Sequence, residues 1–149
     1  MRRRIVLCAT AAVAAMAVAG ASTALAAPAK LKVKKGSYTV TAVPDPTMEA
    51  TGLAGMQCFD IDPASVNNHL MKLPGKGTLK IVLDSPDPVH KMDWDLHLLD
   101  AHGNFIASSD GPTAHEEIDA TGVKGTVTIR SCNLMGEPTA NVSWVFTYR

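Results

Sequence analysis

The chain has 149 residues, of which 46% are hydrophobic and 19% charged, and its basic and acidic residues are equal in number. This length is that of one domain with a leader segment. The balanced charge gives no electrostatic attraction to nucleic acid or to an anionic membrane surface, so we expect neither as a partner once the leader has been removed.

Residues 1–26 have the organisation of a signal peptide. Arg2, Arg3 and Arg4 are followed by an apolar run over residues 5–20 and by the small-x-small sequence of residues 24–26. This pattern predicts export by the general secretory route and cleavage after residue 26; an uncleaved membrane anchor is the alternative. The mature chain would carry 11 basic and 14 acidic residues, a formal charge of −3. We predict a secreted, extracellular monomer.

Cleavage would remove Cys8 and leave Cys58 and Cys132. Two cysteines in an exported chain predict one disulfide, because the compartment is oxidising and no thiol is left over. The alternatives are two buried free thiols or a pair of metal ligands. No Cys-x-x-Cys sequence is present to favour redox catalysis.

Residues 27–36 are small and basic, and we predict a flexible lead-in there, followed by a single domain over residues 37–149. Short alternating segments separated by Gly and Pro predict strands. They cover residues 37–43, 57–61, 69–73, 78–84, 93–100, 105–109, 115–120, 126–131 and 141–149. This pattern predicts an all-β fold, an antiparallel β-sandwich of jelly-roll type with about eight strands.

The strand at residues 93–100 and the turn after it form the central hairpin of this prediction. Alternation places Asp93, Asp95 and His97 on one face and apolar residues on the other. With the aromatic face of the last strand, that apolar face predicts the core: Trp94, Leu96, Leu98, Trp144 and Phe146.

The acidic face of this hairpin is a candidate calcium site. Calcium prefers several oxygen ligands, and the candidates are Asp93, Asp95, Asp100 and Asn104. The alternative is that these side chains cap turns and keep an exposed face soluble. We expect no other cofactor.

The remaining polar residues give no catalytic pattern. No Gly-x-Ser-x-Gly sequence is present, and the disulfide would leave no nucleophilic thiol. The five histidines have no metal-pair spacing and are expected at the surface and in turns: His69, His90, His97, His102 and His115. We therefore predict no catalytic residues and no enzyme activity.

The segments at residues 73–81, 93–100, 102–104 and 106–109 together resemble the bacterial pre-peptidase C-terminal domain. They provide its Gly-containing turn and apolar strand, its Asp-x-Asp-Leu-x-Leu-x-Asp strand, its Gly-Asn turn, and its strand ending in Ala-Ser-Ser. The clear resemblance covers residues 73–109, and the last two strands are similar to the closing hairpin of the family.

This resemblance implies a β-sandwich and a secreted, non-catalytic binding module for an extracellular protein or polysaccharide. The family usually follows a catalytic domain, which suggests as alternatives a free-standing partner or inhibitor of a secreted protease, or a calcium-stabilised structural exoprotein. The sequence departs from the family in having only a leader before the domain, and in its predicted disulfide, which is not a general family feature.

Overall fold

A computed structural model describes residues 30–47, 58, 61–86 and 92–149. The predicted signal peptide and most of the predicted strand at 57–61 lie outside these residues. The described chain forms a short 3-10 helix at Pro63–Ser65 and eight strands. The strands are β1 (Lys32–Thr41), β2 (Val66–Lys72), β3 (Gly77–Asp84), β4 (Asp93–Asp100), β5 (Phe105–Ser109), β6 (His115–Val123), β7 (Thr126–Met135) and β8 (Thr139–Tyr148).

The strands form two four-stranded antiparallel sheets, which we call the first and second sheets. Their orders are β1-β8-β3-β6 and β2-β7-β4-β5. Each sheet takes two strands from each half of the chain, which is the arrangement of a jelly roll built from two Greek keys. The predicted all-β sandwich is confirmed.

The core lies between the sheets and follows from the period-two alternation of the central strands. Trp94, Leu96, Leu98 and Phe146 are fully buried there. Trp144 is partly buried and packs against the core. Its ring lies so close to Gly36 that a Cβ at that position would be 2.7 Å from Trp144 Cζ2, so this glycine is required by close approach of the ring.

Strand β1 begins earlier than predicted. Lys32 pairs with Tyr148 at the start of a continuous ladder between β1 and β8. The prediction of a flexible lead-in is therefore wrong for residues 32–36, because pairing with a strand more than a hundred positions away orders a segment whose composition alone suggests flexibility.

Strand β7 runs beyond its predicted end, through Asn133 to Met135. Asn133 is buried, and its Nδ2 donates to the carbonyl oxygens of Ala42 and Glu137, each at 2.9 Å. These bonds satisfy the amide nitrogen of Asn133, whereas its buried Oδ1 has no hydrogen-bond partner among the described residues. Within the described ranges, no helix has the length and apolar character of a membrane span.

Candidate functional site

The candidate site is the outer face of the second sheet, on the side of β4 that points away from the core. Asp95, His97 and Leu99 alternate along β4 with the core residues Trp94, Leu96 and Leu98. All six are buried, so β4 is covered on both faces. The expectation that this acidic face is exposed to solvent is wrong for Asp95 and His97.

Strand register arranges this face in transverse rows. An apolar row crosses all four strands near the β4–β5 hairpin: Leu70, Thr128, Leu99 and Phe105. A polar row lies next to it: Asn68, Arg130, His97 and Ser108. A disulfide row follows on three strands: Val66, Cys132 and Asp95.

The apolar row is open to solvent at its two ends. Leu70 is 70% exposed, Phe105 is 46% exposed, and Ile106 beside it is 39% exposed, whereas Leu99 between them is buried. The register shifts between Leu98 and Leu99, and this irregularity turns the Phe105 ring toward His97, with ring centroids 4.9 Å apart.

His97 lies buried at the centre of the polar row. Its Nε2 is 2.6 Å from Asp110 Oδ1. Because a carboxylate oxygen only accepts hydrogen bonds, Nε2 carries the proton and Nδ1 carries the lone pair. Burial lowers the pKa of His97 in spite of the opposing effect of Asp110, and the ring is therefore neutral at neutral pH.

Asp95 lies two residues away and is only 3% exposed. Burial raises the pKa of Asp95 to about 8, and the negative charges of Asp110, Asp93 and Glu116 act in the same direction. The backbone N–H of Cys58 opposes this effect by hydrogen bonding to the carboxylate. A buried carboxyl surrounded by other acids thus retains its proton near neutral pH.

Glu116 is a buried acid that sequence reasoning missed. It pairs with Leu83 on the first sheet and accepts hydrogen bonds from the Ser109 hydroxyl, from the Gly111 N–H at 3.3 Å, and from the Thr113 hydroxyl at 3.4 Å. The sequence indicated this burial, because Glu116 lies two and four residues before the core residues Ile118 and Ala120. Alternation places all three on the same face of β6.

The four predicted calcium ligands fall into two groups. Asp93 and Asp95 lie at the start of β4. At its end, the Asp100 carboxylate accepts hydrogen bonds from the N–H groups of His102 and Asn104 at 2.8 and 2.9 Å, and from Asn104 Nδ2 at 3.0 Å. These bonds, with those of Asn104 contributing most, lower the pKa of Asp100.

Asp95 and Asp100 are five strand residues apart, about 16 Å at the rise of an extended chain. The four side chains therefore do not ligate a single ion, and the interpretation as a single calcium site is corrected. Asp100 and Asn104 instead cap the hairpin turn, as the alternative interpretation has it.

The other described histidines are separate from this face. His69 stacks on Tyr38 between the sheets, with ring centroids 4.0 Å apart, and His115 Nδ1 is 2.6 Å from Asp84 Oδ1 on the surface of the first sheet. His90 lies outside the described residues. Among the described histidines, only His97 lies in a group of potential metal ligands, together with Cys58 and Asp95.

The predicted disulfide between Cys58 and Cys132 is confirmed, with a Cα–Cα distance of 5.7 Å. Both cysteines are buried in a small apolar cluster with Ile61 and Leu134. The potential ligand atoms of Cys58, Asp95 and His97 lie within 4.8 Å of one another. The cross-link therefore holds Cys58 against Asp95 and His97 of β4.

Comparison with protein-family models gives no match to this chain, and comparison with curated protein sequences gives none either.

Proposed function

We propose that this protein is a secreted, non-catalytic β-sandwich that binds an extracellular protein through the apolar row of the second sheet. The observation that carries the proposal is the exposure of Leu70, Phe105 and Ile106 on one sheet face. Single exposed apolar residues are ordinary, but several on one face indicate a contact surface. The predicted signal peptide and the resemblance to pre-peptidase C-terminal domains support secretion.

The composition of this face favours a protein over a polysaccharide partner. Phe and Arg are enriched in protein interfaces, and Phe105 lies next to the row that contains Arg130. Arg130 Nε donates to Asn68 Oδ1 at 2.9 Å, which ties the Arg130 side chain to its neighbour in the β2–β7 register. Trp94 is fully buried and Trp144 packs over Gly36, so neither tryptophan offers an open ring for stacking on a sugar.

The test is binding by a variant that has lost the two exposed ends of the apolar row, Leu70→Thr with Phe105→Thr. Threonine keeps a high strand propensity, so the sheet is retained while the exposed apolar area falls. The matched control is Val145→Thr, since Val145 is 40% exposed on the outer face of the first sheet. Each protein is immobilised and incubated with culture-medium proteins, and separately with cellulose, chitin and peptidoglycan.

We expect specific proteins to be retained by the wild type and by Val145→Thr but not by the double variant. Identical retention by all three proteins would remove the apolar row as the binding surface. Retention on a polysaccharide and on no protein would instead support the polysaccharide alternative.

The related alternative, a partner or inhibitor of a secreted protease, uses the same face and rests on the resemblance. It predicts that the wild-type protein lowers the cleavage rate, or changes the stability, of one protease in a panel of secreted proteases. The double variant should have neither effect. Unchanged proteases would exclude this narrower role and leave the general one standing.

Calcium stays a prediction for Asp93 and Asp95, which lie close enough to Glu116 for its charge to raise the pKa of both. A bound ion would raise the melting temperature of the disulfide-bonded protein by mass action. Equal melting temperatures in calcium and in a chelator, at calcium concentrations well above the millimolar range of weak extracellular sites, would exclude it.

A further inference from the structure

The disulfide occupies a position that is surrounded by metal-binding side chains. Asp95 pairs in register with Cys132, and the ligand atoms of Cys58, Asp95 and His97 lie within 4.8 Å of one another. The sulfur of Cys132 is bonded to that of Cys58, which places it next to these three residues. All four side chains are buried.

Independently of the proposed function, we infer that the reduced protein binds one zinc ion where the oxidised protein has its disulfide. The four ligands are Cys58, Cys132, Asp95 and His97. Two thiolates, an imidazole nitrogen and a carboxylate oxygen are all zinc ligands, and four of them complete the closed tetrahedral shell of a structural site. Zinc and the disulfide are thus alternative cross-links between the same two cysteines.

The contacts of His97 fit the role of a zinc ligand. Its Nε2 donates to Asp110 at 2.6 Å, so the lone pair is on Nδ1. A zinc-bound histidine commonly donates its second ring N–H to a carboxylate, which fixes the tautomer and the ring orientation. Asp110 is therefore a positioning residue that acts through His97.

The charges around the site favour a cation. The charged groups that affect Asp95 are acidic, namely Asp110, Asp93 and Glu116, whereas Arg130 places a positive charge near His97. A divalent ion would offset the negative charge around the buried Asp95. Thiolate ligands favour zinc over calcium or magnesium.

The exchange is chemically balanced. A dithiol or phosphine reductant transfers two electrons to the Cys58–Cys132 bond, which breaks to give two thiols while the reductant is oxidised. Zinc binding then displaces the two thiol protons, and any proton on Asp95, into solvent. Reoxidation by an added small-molecule disulfide, which accepts the two electrons and is reduced to two thiols, re-forms the Cys58–Cys132 bond and releases the ion.

The experiment titrates the full chain with Co²⁺, a coloured substitute for zinc, after reduction with a phosphine. We expect one Co²⁺ per chain, with the visible bands of four-coordinate cobalt and a thiolate-to-cobalt charge-transfer band, both abolished by one equivalent of zinc. The disulfide-bonded protein should show neither spectrum. A reduced protein that gives no such bands would overturn the proposal.

Three variants that keep both cysteines test the remaining ligands. Asp95→Asn and His97→Gln should change the cobalt spectrum and weaken binding by at least about tenfold, and Asp110→Asn should weaken it by about 10–100-fold while the four-coordinate spectrum is retained. The disulfide-bonded form of each variant serves as its folding control. Spectra and affinities unchanged in Asp95→Asn and His97→Gln would show that the cysteines alone hold the metal, which contradicts the proposal.

Folding provides a second readout if the reduced protein is unstable. Zinc should restore the far-UV β spectrum, or raise the melting temperature, of the reduced wild type but not of Cys58→Ser/Cys132→Ser. A reduced wild type that stays unfolded in zinc would count against the site as decisively as a missing cobalt spectrum.

Discussion

Strands β3 and β4 occupy comparable inner positions in the two sheets, but the outward side chains of β4 are buried and those around β3 are exposed. On the first sheet, Lys80 and Asp119 form a salt bridge at 2.9 Å with both side chains open to solvent. On the second sheet, Asp95 and His97 occupy equivalent outward positions and are almost fully buried.

The difference arises from distant parts of the chain. Cys58 contacts Asp95 through its backbone N–H, and Asp110, which follows β5, bonds to His97. Strand alternation therefore determines the side of the sheet on which a residue lies. Whether that side chain is buried depends on residues outside the strand that pack over it, here Cys58 and Asp110.

Removing the disulfide should have the largest effect. Cys58→Ser with Cys132→Ser opens a loop that spans 74 positions, which costs about 4 kcal/mol on the chain-entropy model. Urea unfolding of metal-free protein measures the loss. We also expect faster hydrogen exchange on β4 and β7 than on β3 and β8; a uniform change in both sheets would show that the disulfide does not specifically hold the cover of the second sheet.

The charge of Asp95 should make stability depend on pH. Its pKa is about 8 in the folded chain against 3.8 ordinarily, so between these values the folded state holds a proton that the unfolded state has lost. Stability should therefore fall as the pH rises through this window, by at most about 1.4 kcal/mol per pH unit.

Asp95→Asn should remove this dependence of the unfolding free energy on pH. Compared with the wild type, the variant should lose less stability as the pH rises toward 8. Asp119→Asn, on the exposed face of the first sheet, should keep the slope of the wild type. Urea unfolding across the window measures both, and a wild-type slope retained in Asp95→Asn would rule out this origin.

Two adjacent glutamates on β6 provide a matched comparison. Glu116 is buried and accepts three hydrogen bonds, whereas Glu117 is exposed. Glu116→Gln should cost about 1–3 kcal/mol, because a bonded acceptor is replaced by an amide with fewer acceptor sites. Glu117→Gln should have no measurable effect on the unfolding free energy, and equal losses would contradict the assignment of these bonds.

The smallest effect is expected for the exposed ion pair of the first sheet. Lys80→Gln breaks the contact with Asp119, but solvent screens exposed charges and the ordering of long side chains offsets the attraction. The melting temperature should stay within experimental error of the wild type at low and high salt. A clear, salt-dependent loss would mean that the two outer faces are less different than their exposure suggests.

Much of the fold follows from local patterns. The alternation at residues 93–100, the turn at 100–104 and the Gly and Pro boundaries determine most strands, and the even number of cysteines that the predicted cleavage leaves predicts the disulfide. The extra length of β1 and β7 does not follow from them, because it depends on the pairing of Lys32 with Tyr148 and on hydrogen bonds of Asn133 to distant carbonyl groups.

The site was predictable only in part. Alternation correctly places Asp95 and His97 on one face, but their burial depends on Cys58, which is distant in sequence. The assignment of Asp100 and Asn104 to the same site as Asp95 failed because residues on one strand separate by about 3.3 Å for each position. The burial of Glu116 could have been predicted, because alternation places it on the same face of β6 as apolar core residues.

The position of β8 governs the order of folding. This strand is the partner of β1 along ten residues and also lies against β3, so only the β3–β6 ladder of the first sheet can form before residues 139–148 are available. A chain emerging from the ribosome must hold β1 and β3 unpaired with β8 through most of its synthesis. Such non-local pairing slows folding to milliseconds or seconds, and a loss of the last ten residues would leave β1 without its strand partner.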